Sequence, residues 1–340
     1  MADPQPSPAP VGERYPQLLR AGGVRWWQPL LGLLLAGVTL VSGAVAVILA
    51  SVVVAALTGA AEDPFSDEAL SPDSPLGLLA NNLVIAVMVP ASVLAVLVAH
   101  RRPAGLLASV TGRARWGWLG RMLALAAVVV VVFFAGSFLL PSSVTSDVDV
   151  PPTGTLVALF AVILLTTPLQ AAAEEVGFRG YLSQAVSSWF AHPLTGTLVA
   201  GAVSALLFAL AHGTQDVWLF GDRLAFGAVA SWLVWRTGGL EAAVALHVVN
   251  NMASLGFTAA TGSLEASLTA STLEWQFAVT DVAMMATFAV LVDRVTRRRP
   301  VAVRRDPTRD VLIGHRAVGY PGARPSTPPP AGGAKPWGMG

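Results

Sequence analysis

The chain has 340 residues, of which 54% are hydrophobic and only 12% are charged. This composition is too apolar for a water-soluble domain of that size and indicates a membrane protein with several spans. The chain contains no cysteine, which excludes disulfides and thiolate metal sites. Its net charge is +1 and its arginines lie beside apolar segments, so we exclude a nucleic-acid-binding surface.

Both ends of the chain are rich in proline and poor in apolar residues. We therefore predict disordered cytoplasmic tails over residues 1–24 and 299–340, on either side of a transmembrane domain over residues 25–298. The first apolar segment is too long for the hydrophobic part of a signal peptide, so we expect a span there and no cleavable signal.

Apolar segments long enough to cross a bilayer, which takes about 20 residues, recur along this domain. They predict an all-α, polytopic bundle of about eight transmembrane helices. A seven-span bundle stays open, because Asp222 and Arg223 interrupt the sixth segment. The predicted spans cover residues 30–57, 76–99, 122–140, 156–173, 194–211, 217–235, 240–257 and 277–292.

The charges of the loops predict the orientation of the bundle. The loop over residues 100–121 carries five arginines, whereas the loop over residues 58–75 carries five acidic residues. Arginine-rich loops stay in the cytoplasm. Counting spans from the basic loop gives a multi-pass protein of the cell membrane with both termini in the cytoplasm.

A first polar cluster follows the fourth predicted span, in the sequence AAAEEVGFRGYL over residues 171–182. Adjacent helical positions point about 100° apart, so Glu174 and Glu175 face different directions. Glu175 and Arg179 are separated by four residues and can form an ion pair, which leaves Glu174 to face the bundle interior. The other interpretation places a helix end at the cytoplasmic surface, with all three charges solvated.

A second cluster contains Phe208 and His212, on the far side of a predicted helix break at residues 191–193. At about 1.5 Å per residue, Glu174 lies roughly 23 Å above this turn and His212 roughly 27 Å above it, so the two arrive at similar depth. A single histidine on an apolar helix is otherwise more typical of a packed, hydrogen-bonded residue. The matching depth favours a shared site.

The third cluster is formed by His247 and Asn251, which are four residues apart on one helix face. Both side chains can donate hydrogen bonds toward a common point, as an oxyanion requires. The alternative is that both residues form hydrogen bonds between helices, a common role for histidine and asparagine in membranes.

In order and spacing, the motifs EExxxR, FxxxH and HxxxN resemble the CPBP family of intramembrane proteases. That family includes the Ras-converting CAAX endopeptidase and bacterial Abi-type bacteriocin-immunity proteins. The resemblance covers residues 156–257. The matching positions are Glu174, Glu175 and Arg179; Phe208 and His212; and His247 and Asn251.

The resemblance implies hydrolysis of a peptide bond within the bilayer. Glu174 and His212 would activate a water molecule, and His247 with Asn251 would stabilise the tetrahedral oxyanion. The supporting residues would be Glu175, Arg179 and Phe208.

The glutamate mechanism implied by the family requires no metal or other cofactor. Two histidines and a carboxylate are also a possible Zn²⁺ ligand set, and the alternative is therefore zinc held by Glu174, His212 and His247. The expected partners are the lipid bilayer and a membrane-associated peptide or protein substrate, without nucleic acid. The sequence makes no prediction of the oligomeric state.

Two other functions fit parts of the pattern. A non-catalytic CPBP-type scaffold or bacteriocin-immunity protein would bind a peptide or partner in the same cavity. A small-solute transporter would line a permeation path with the polar clusters, but no convincing repeat relates the two halves of the chain.

Other polar residues in the apolar segments are expected to be structural. Asn81, Asn82 and Asp281 are predicted to form hydrogen bonds between helices rather than to react. Glu241 is expected at the membrane surface, and His192 is expected to cap a loop. The signature sequences of zinc, serine and aspartyl intramembrane proteases do not occur in the chain.

Overall fold

The computed structural model describes residues 12–20, 23–59, 63, 65–66, 70–141 and 150–306. Within these ranges the regular structure is helical, and short 3₁₀ turns lie at Tyr15–Gln17 and Ala104–Leu107. The α-helices are α1 (Gln28–Thr58), α2 (Pro75–Ala86), α3 (Met88–Val98), α4 (Trp116–Ser137), α5 (Thr153–Glu175), α6 (Ser183–Ser188), α7 (Pro193–Leu210), α8 (Val217–Thr237), α9 (Glu241–Thr261), α10 (Leu264–Leu268) and α11 (Trp275–Arg298).

Eight helical segments in this described part of the chain are long and apolar enough to cross a membrane. The prediction of an eight-span, all-α, multi-pass membrane protein is confirmed. Asp222 and Arg223 do not interrupt the sixth span, because α8 continues through them for 21 residues. The second span joins α2 to α3, and the fourth extends from α5 into α6.

The outer surface of the bundle is apolar. Leu57, Leu139 and Leu165 are 82%, 87% and 74% exposed, respectively. Leucine side chains so open to the surroundings are stable in lipid rather than in water. The buried polar and charged side chains of the spans consequently lie between helices, where they can find partners.

Glycines allow the closest approaches between α7, α8 and α9. A Cβ atom on Gly227 of α8 would lie 2.7 Å from the Cα atom of Ala205 on α7, so only glycine fits there without a shift of the helices. Gly238 ends α8 with φ +70°, a left-handed conformation that glycine adopts without strain. This turn brings α9 directly back along α8.

The two adjacent glutamates do not end a helix. After Glu175 the chain continues as a π-helical segment, Val176–Leu182, and then as α6. Short π-helical segments inside α-helices often occur at functional sites. The predicted break at residues 191–193 is confirmed: α7 begins at Pro193, and Nδ1 of His192 accepts a hydrogen bond from the Thr195 N–H at 3.4 Å.

Residues 12–20 differ from the solvated tail that the sequence predicts. Tyr15, Leu18 and Leu19 are fully buried in the bundle. The Tyr15 hydroxyl donates a hydrogen bond to the carbonyl oxygen of Leu107, and burial raises the pKa of this phenol. A short apolar stretch within a proline-rich segment is therefore sufficient to anchor the N-terminal part of the described chain.

The two ends of the described chain meet at one end of the bundle. Arg14 and Arg304 form an isolated antiparallel bridge, and the Arg305 N–H donates to the carbonyl oxygen of Glu13 at 2.9 Å. Residues 300–306 are thus packed, although the sequence places them in a tail. Residues 1–11, 21–22 and 307–340 of the predicted tails lie outside the described residues. Both ends lie on one side, as an even number of spans requires.

Candidate active site

The first motif forms a buried ion pair at the junction of α5 and the π-helical segment. Nη1 of Arg179 lies 3.1 Å from Oε1 of Glu175, and the two side chains are 1% and 0% exposed. The predicted i, i+4 geometry of this pair is therefore present in the structure. The interpretation with solvated charges does not fit, because Glu174 is buried as well.

His247 of α9 lies between the two glutamates. Its Nε2 atom is 3.1 Å from Oε2 of Glu174, and its Nδ1 atom is 2.9 Å from Oε1 of Glu175. The ring is buried and is oriented from both sides by carboxylates. The sequence places His247 near the site, but it does not predict that one imidazole binds both acidic residues.

The charges of this cluster can balance. Glu174 and Glu175 contribute two negative charges when ionised, and Arg179 contributes one positive charge. An imidazole that donates from both nitrogens to carboxylates carries both ring protons and a second positive charge. The group of four side chains is then neutral overall, which lowers the cost of burying it inside a membrane protein.

Aromatic rings surround the cations of this cluster. The guanidinium carbon of Arg179 lies 4.2 Å from the ring centroid of Phe208, a favourable cation–π distance. Among the described residues, Nε and Nη2 of Arg179 find no hydrogen-bond partner, so the ring face substitutes for polar contacts. The Phe226 ring lies 4.7 Å from the His247 ring, and sequence reasoning missed this residue.

His212 follows the last turn of α7. Its Nδ1 atom lies 2.7 Å from the carbonyl oxygen of Phe208, and because a carbonyl only accepts, Nδ1 must donate. In the neutral ring this leaves a lone pair on Nε2. The Phe208 ring contacts the His212 ring at 4.8 Å and the His247 ring at 5.9 Å between centroids, so the structure brings the second motif to the other two.

Asn251 has a partner that sequence reasoning missed. Its Nδ2 atom donates to Oε1 of Gln170 at 3.2 Å, between α9 and α5. Gln170 is 6% exposed and lies one helical turn before Glu174. The i, i+4 spacing from Glu174 was the signal that could have identified Gln170.

The polar residues that were expected to be structural lie outside this cluster. Nδ2 of Asn82 donates to Oγ1 of Thr166 at 2.8 Å and thereby links α2 to α5. Asp281 lies partly buried on α11, and its hydrogen bond between helices stays a prediction.

Glu241 is the first residue of α9, beside the turn at Gly238, and it is buried within the protein. It is 4% exposed, and its Oε2 atom lies 2.6 Å from Nη2 of Arg115. The burial arises because the turn at Gly238 packs the start of α9 against the segment that precedes α4.

The zinc ligands of the alternative prediction are not assembled around one centre among the residues that the structure describes. In the described part of the chain, no group of three or more His, Cys, Asp or Glu side chains is placed to hold a metal ion. Both ring nitrogens of His247 lie within hydrogen-bond distance of carboxylate oxygens, and these contacts orient the ring without a metal.

Comparison with known proteins identifies one family. Residues 153–253 match the family model described as "Type II CAAX prenyl endopeptidase Rce1-like". This segment begins with α5 and ends within α9, so it contains all three motifs.

A curated protein from Bacillus subtilis (strain 168), "Uncharacterized protein YyaK", is 28% identical over 197 residues. These residues make up 55% of this chain and 62% of that protein, so the chain spans less than two thirds of its relative. No solved structure matches.

Proposed function

The chain carries an Rce1-like domain of the CPBP/CAAX protease family, and from this premise we propose that it is an intramembrane endopeptidase. It hydrolyses a peptide bond in a membrane-associated peptide or protein. The observation that carries the proposal is the contact between α5 and α9, in which the buried His247 holds Glu174 by one nitrogen and Glu175 by the other.

Glu174 is the general base of the proposed reaction. Its Oε2 atom is held by His247, which leaves the other carboxylate oxygen to accept a proton from water. His212 orients this water through the lone pair on Nε2, because its Nδ1–H is committed to the Phe208 carbonyl. A general base of this kind accounts for a rate factor of about 10² to 10⁴.

His247 and Asn251 stabilise the oxyanion. When Glu174 takes the proton from water, its negative charge disappears and its attraction for His247 weakens. The Nε2–H of His247 is then free to donate to the oxygen that becomes negative at the same moment. Asn251 donates its second amide N–H, since the first is bound by Gln170. Glu174 finally returns the proton to the leaving amine as the C–N bond breaks.

Glu175, Arg179 and Phe208 support this arrangement without touching the substrate. Arg179 neutralises Glu175, Glu175 fixes the Nδ1 side of His247, and the Phe208 ring covers the guanidinium. The mechanism requires no metal or cofactor. We also propose that both termini lie in the cytoplasm, since the basic loop over residues 100–121 favours that side and the bridged ends share it.

The proposal is tested by purifying the wild type, Glu174→Ala and His212→Ala in the same membrane mimetic and following cleavage of a membrane-peptide library. Leu165→Ala, a lipid-facing change on α5, is the matched control. We expect wild-type and control activity to be equal, and each site variant to lose at least about 100-fold. Equal turnover in all four would contradict the proposed chemistry, whereas cleavage by none of them would favour a non-catalytic scaffold or immunity protein.

A chelator separates the glutamate mechanism from a zinc mechanism. Cleavage that continues unchanged in a strong chelator supports Glu174 as a base that acts without a metal. Loss of cleavage that is restored by added Zn²⁺ would instead establish the zinc alternative.

A further inference from the structure

Two polar contacts, one helical turn apart, join α5 to α9. Glu174 contacts His247, and one turn away Gln170 contacts Asn251. Gln170 and Glu174 are four residues apart on α5, as are His247 and Asn251 on α9, and the helices are antiparallel. The second contact therefore extends the arrangement that holds the base and the imidazole.

The Gln170–Asn251 contact determines how the Asn251 amide is oriented. The Gln170 oxygen can only accept, so it selects the orientation in which the nitrogen of Asn251 points toward α5. While the Gln170 oxygen faces α9, the opposite orientation of Asn251 would bring two carbonyl oxygens together. With the nitrogen fixed on this side, one N–H is bound and the other is left for a ligand.

Burial strengthens the preference of the Asn251 amide for this orientation. Gln170 is 6% exposed and Asn251 is partly buried, so little water is present to compensate an amide that turns away. In a membrane interior an unpaired amide group is costly, and the paired orientation is correspondingly favoured.

We propose that Gln170 is a positioning residue of the active site, which holds the Asn251 carboxamide with its free N–H toward the oxyanion. The inference rests on the proposed function. Gln170 does not touch the substrate; it acts through Asn251. A residue that only joins two helices would affect folding stability, whereas a positioning residue affects the turnover number of the folded enzyme.

The test measures kcat, KM and the melting temperature of Gln170→Met, Gln170→Glu, Asn251→Ala and the double variant Gln170→Met/Asn251→Ala. Methionine has a similar length but only a weak thioether acceptor, whereas glutamate retains an acceptor oxygen whether or not it is protonated. We expect Gln170→Met to lose about tenfold in kcat, the equivalent of one hydrogen bond in the transition state. KM should change less than about twofold, because ground-state binding does not use this contact.

Two further measurements distinguish a positioning role of Gln170 from a packing role: rescue by a conservative variant and the coupling of Gln170 to Asn251. Gln170→Glu should recover most of the lost kcat. In the Asn251→Ala background, Gln170→Met should have no further effect on kcat, because the side chain it positions is gone. If Gln170→Met does not fold, Gln170→Ala is measured in its place.

Three outcomes overturn the inference, and the experiment distinguishes failure of the positioning role from failure of the proposed function. If the wild type cleaves and Asn251→Ala is impaired, but Gln170→Met and Gln170→Ala equal the wild type, only the positioning role is wrong. The same holds if the effects of the two substitutions on kcat simply multiply. If the wild type cleaves no peptide, the proposed function fails and the positioning role fails with it.

Discussion

The interface between α5 and α9 has two halves that differ in chemistry. Toward the N-terminal end of α5 the helices pack through aliphatic side chains, whereas toward its C-terminal end they meet through amides, carboxylates and an imidazole. The apolar half contains Leu159, Ile163, Leu255 and Ala259. The polar half contains Gln170, Glu174, His247 and Asn251.

Packing of α5 against α9 and chemistry at the candidate site make different demands on this interface. The aliphatic side chains of the apolar half already join the two helices, so the polar half is not their only contact. Ionisable side chains buried in a membrane protein are costly, and they persist where they serve a function. The difference between the two halves is therefore the strongest physical indication that the polar half is a reaction centre.

The largest loss of stability is expected in the polar half. Glu175→Gln removes the negative charge beside Arg179, which is 1% exposed, and beside His247. Removing one partner of a buried ion pair typically costs about 3–5 kcal/mol. Denaturant titration in detergent measures this change.

Asp293→Asn is the matched control for this prediction. Asp293 pairs with Arg236 and Arg297 at the end of α11, where Arg297 is 74% exposed. Because water screens this pair, the loss should be clearly smaller than that of Glu175→Gln. Equal losses would contradict the view that the buried pair is special.

A substitution in the apolar half should lower the stability of the protein and leave its kcat unchanged. Leu159→Ala leaves a cavity at a side chain that is 1% exposed, and such changes cost about 2–5 kcal/mol. The kcat of the protein that remains folded should equal that of the wild type. Leu165→Ala, at a position 74% exposed on the same helix, should change neither quantity. A kcat loss in Leu159→Ala would remove the distinction between the halves.

A smaller effect is expected where a neutral polar contact lies outside the site. Asn82→Ala breaks the hydrogen bonds to Thr166 and Thr167, and contacts of this type in membranes contribute about 0.6–1.7 kcal/mol. Asn81→Ala, at the preceding and less buried position, is the control. Cleavage should be unaffected in both variants. A large loss of kcat in Asn82→Ala would mean that the reaction centre extends to α2.

Much of the fold could be predicted from the sequence because lipid imposes a simple rule. A span needs about 20 apolar residues, and this length identifies eight segments without knowledge of their packing. The pair of Glu175 and Arg179 was also predictable, since the i, i+4 spacing is a local property of a helix.

Other features depend on contacts between distant segments and were not predictable. The π-helical segment Val176–Leu182 has no distinctive composition, and its winding depends on the helices around it. Likewise, the position of His247 between two carboxylates depends on the register of α9 against α5. The burial of Tyr15 was missed because the surrounding residues are typical of a solvated tail.

The comparison of kcat/KM between Glu174→Gln and the wild type, on one membrane peptide in identical liposomes, tests the central claim most directly. Glutamine has the shape of glutamate and retains an oxygen that can accept from Nε2 of His247, but it is not a base. We predict a loss of about 10²-fold to 10⁴-fold in kcat/KM of the folded variant, and the melting temperature is measured beside it to count only folded protein. A variant that folds and cleaves as fast as the wild type would contradict the assignment of Glu174 as the base.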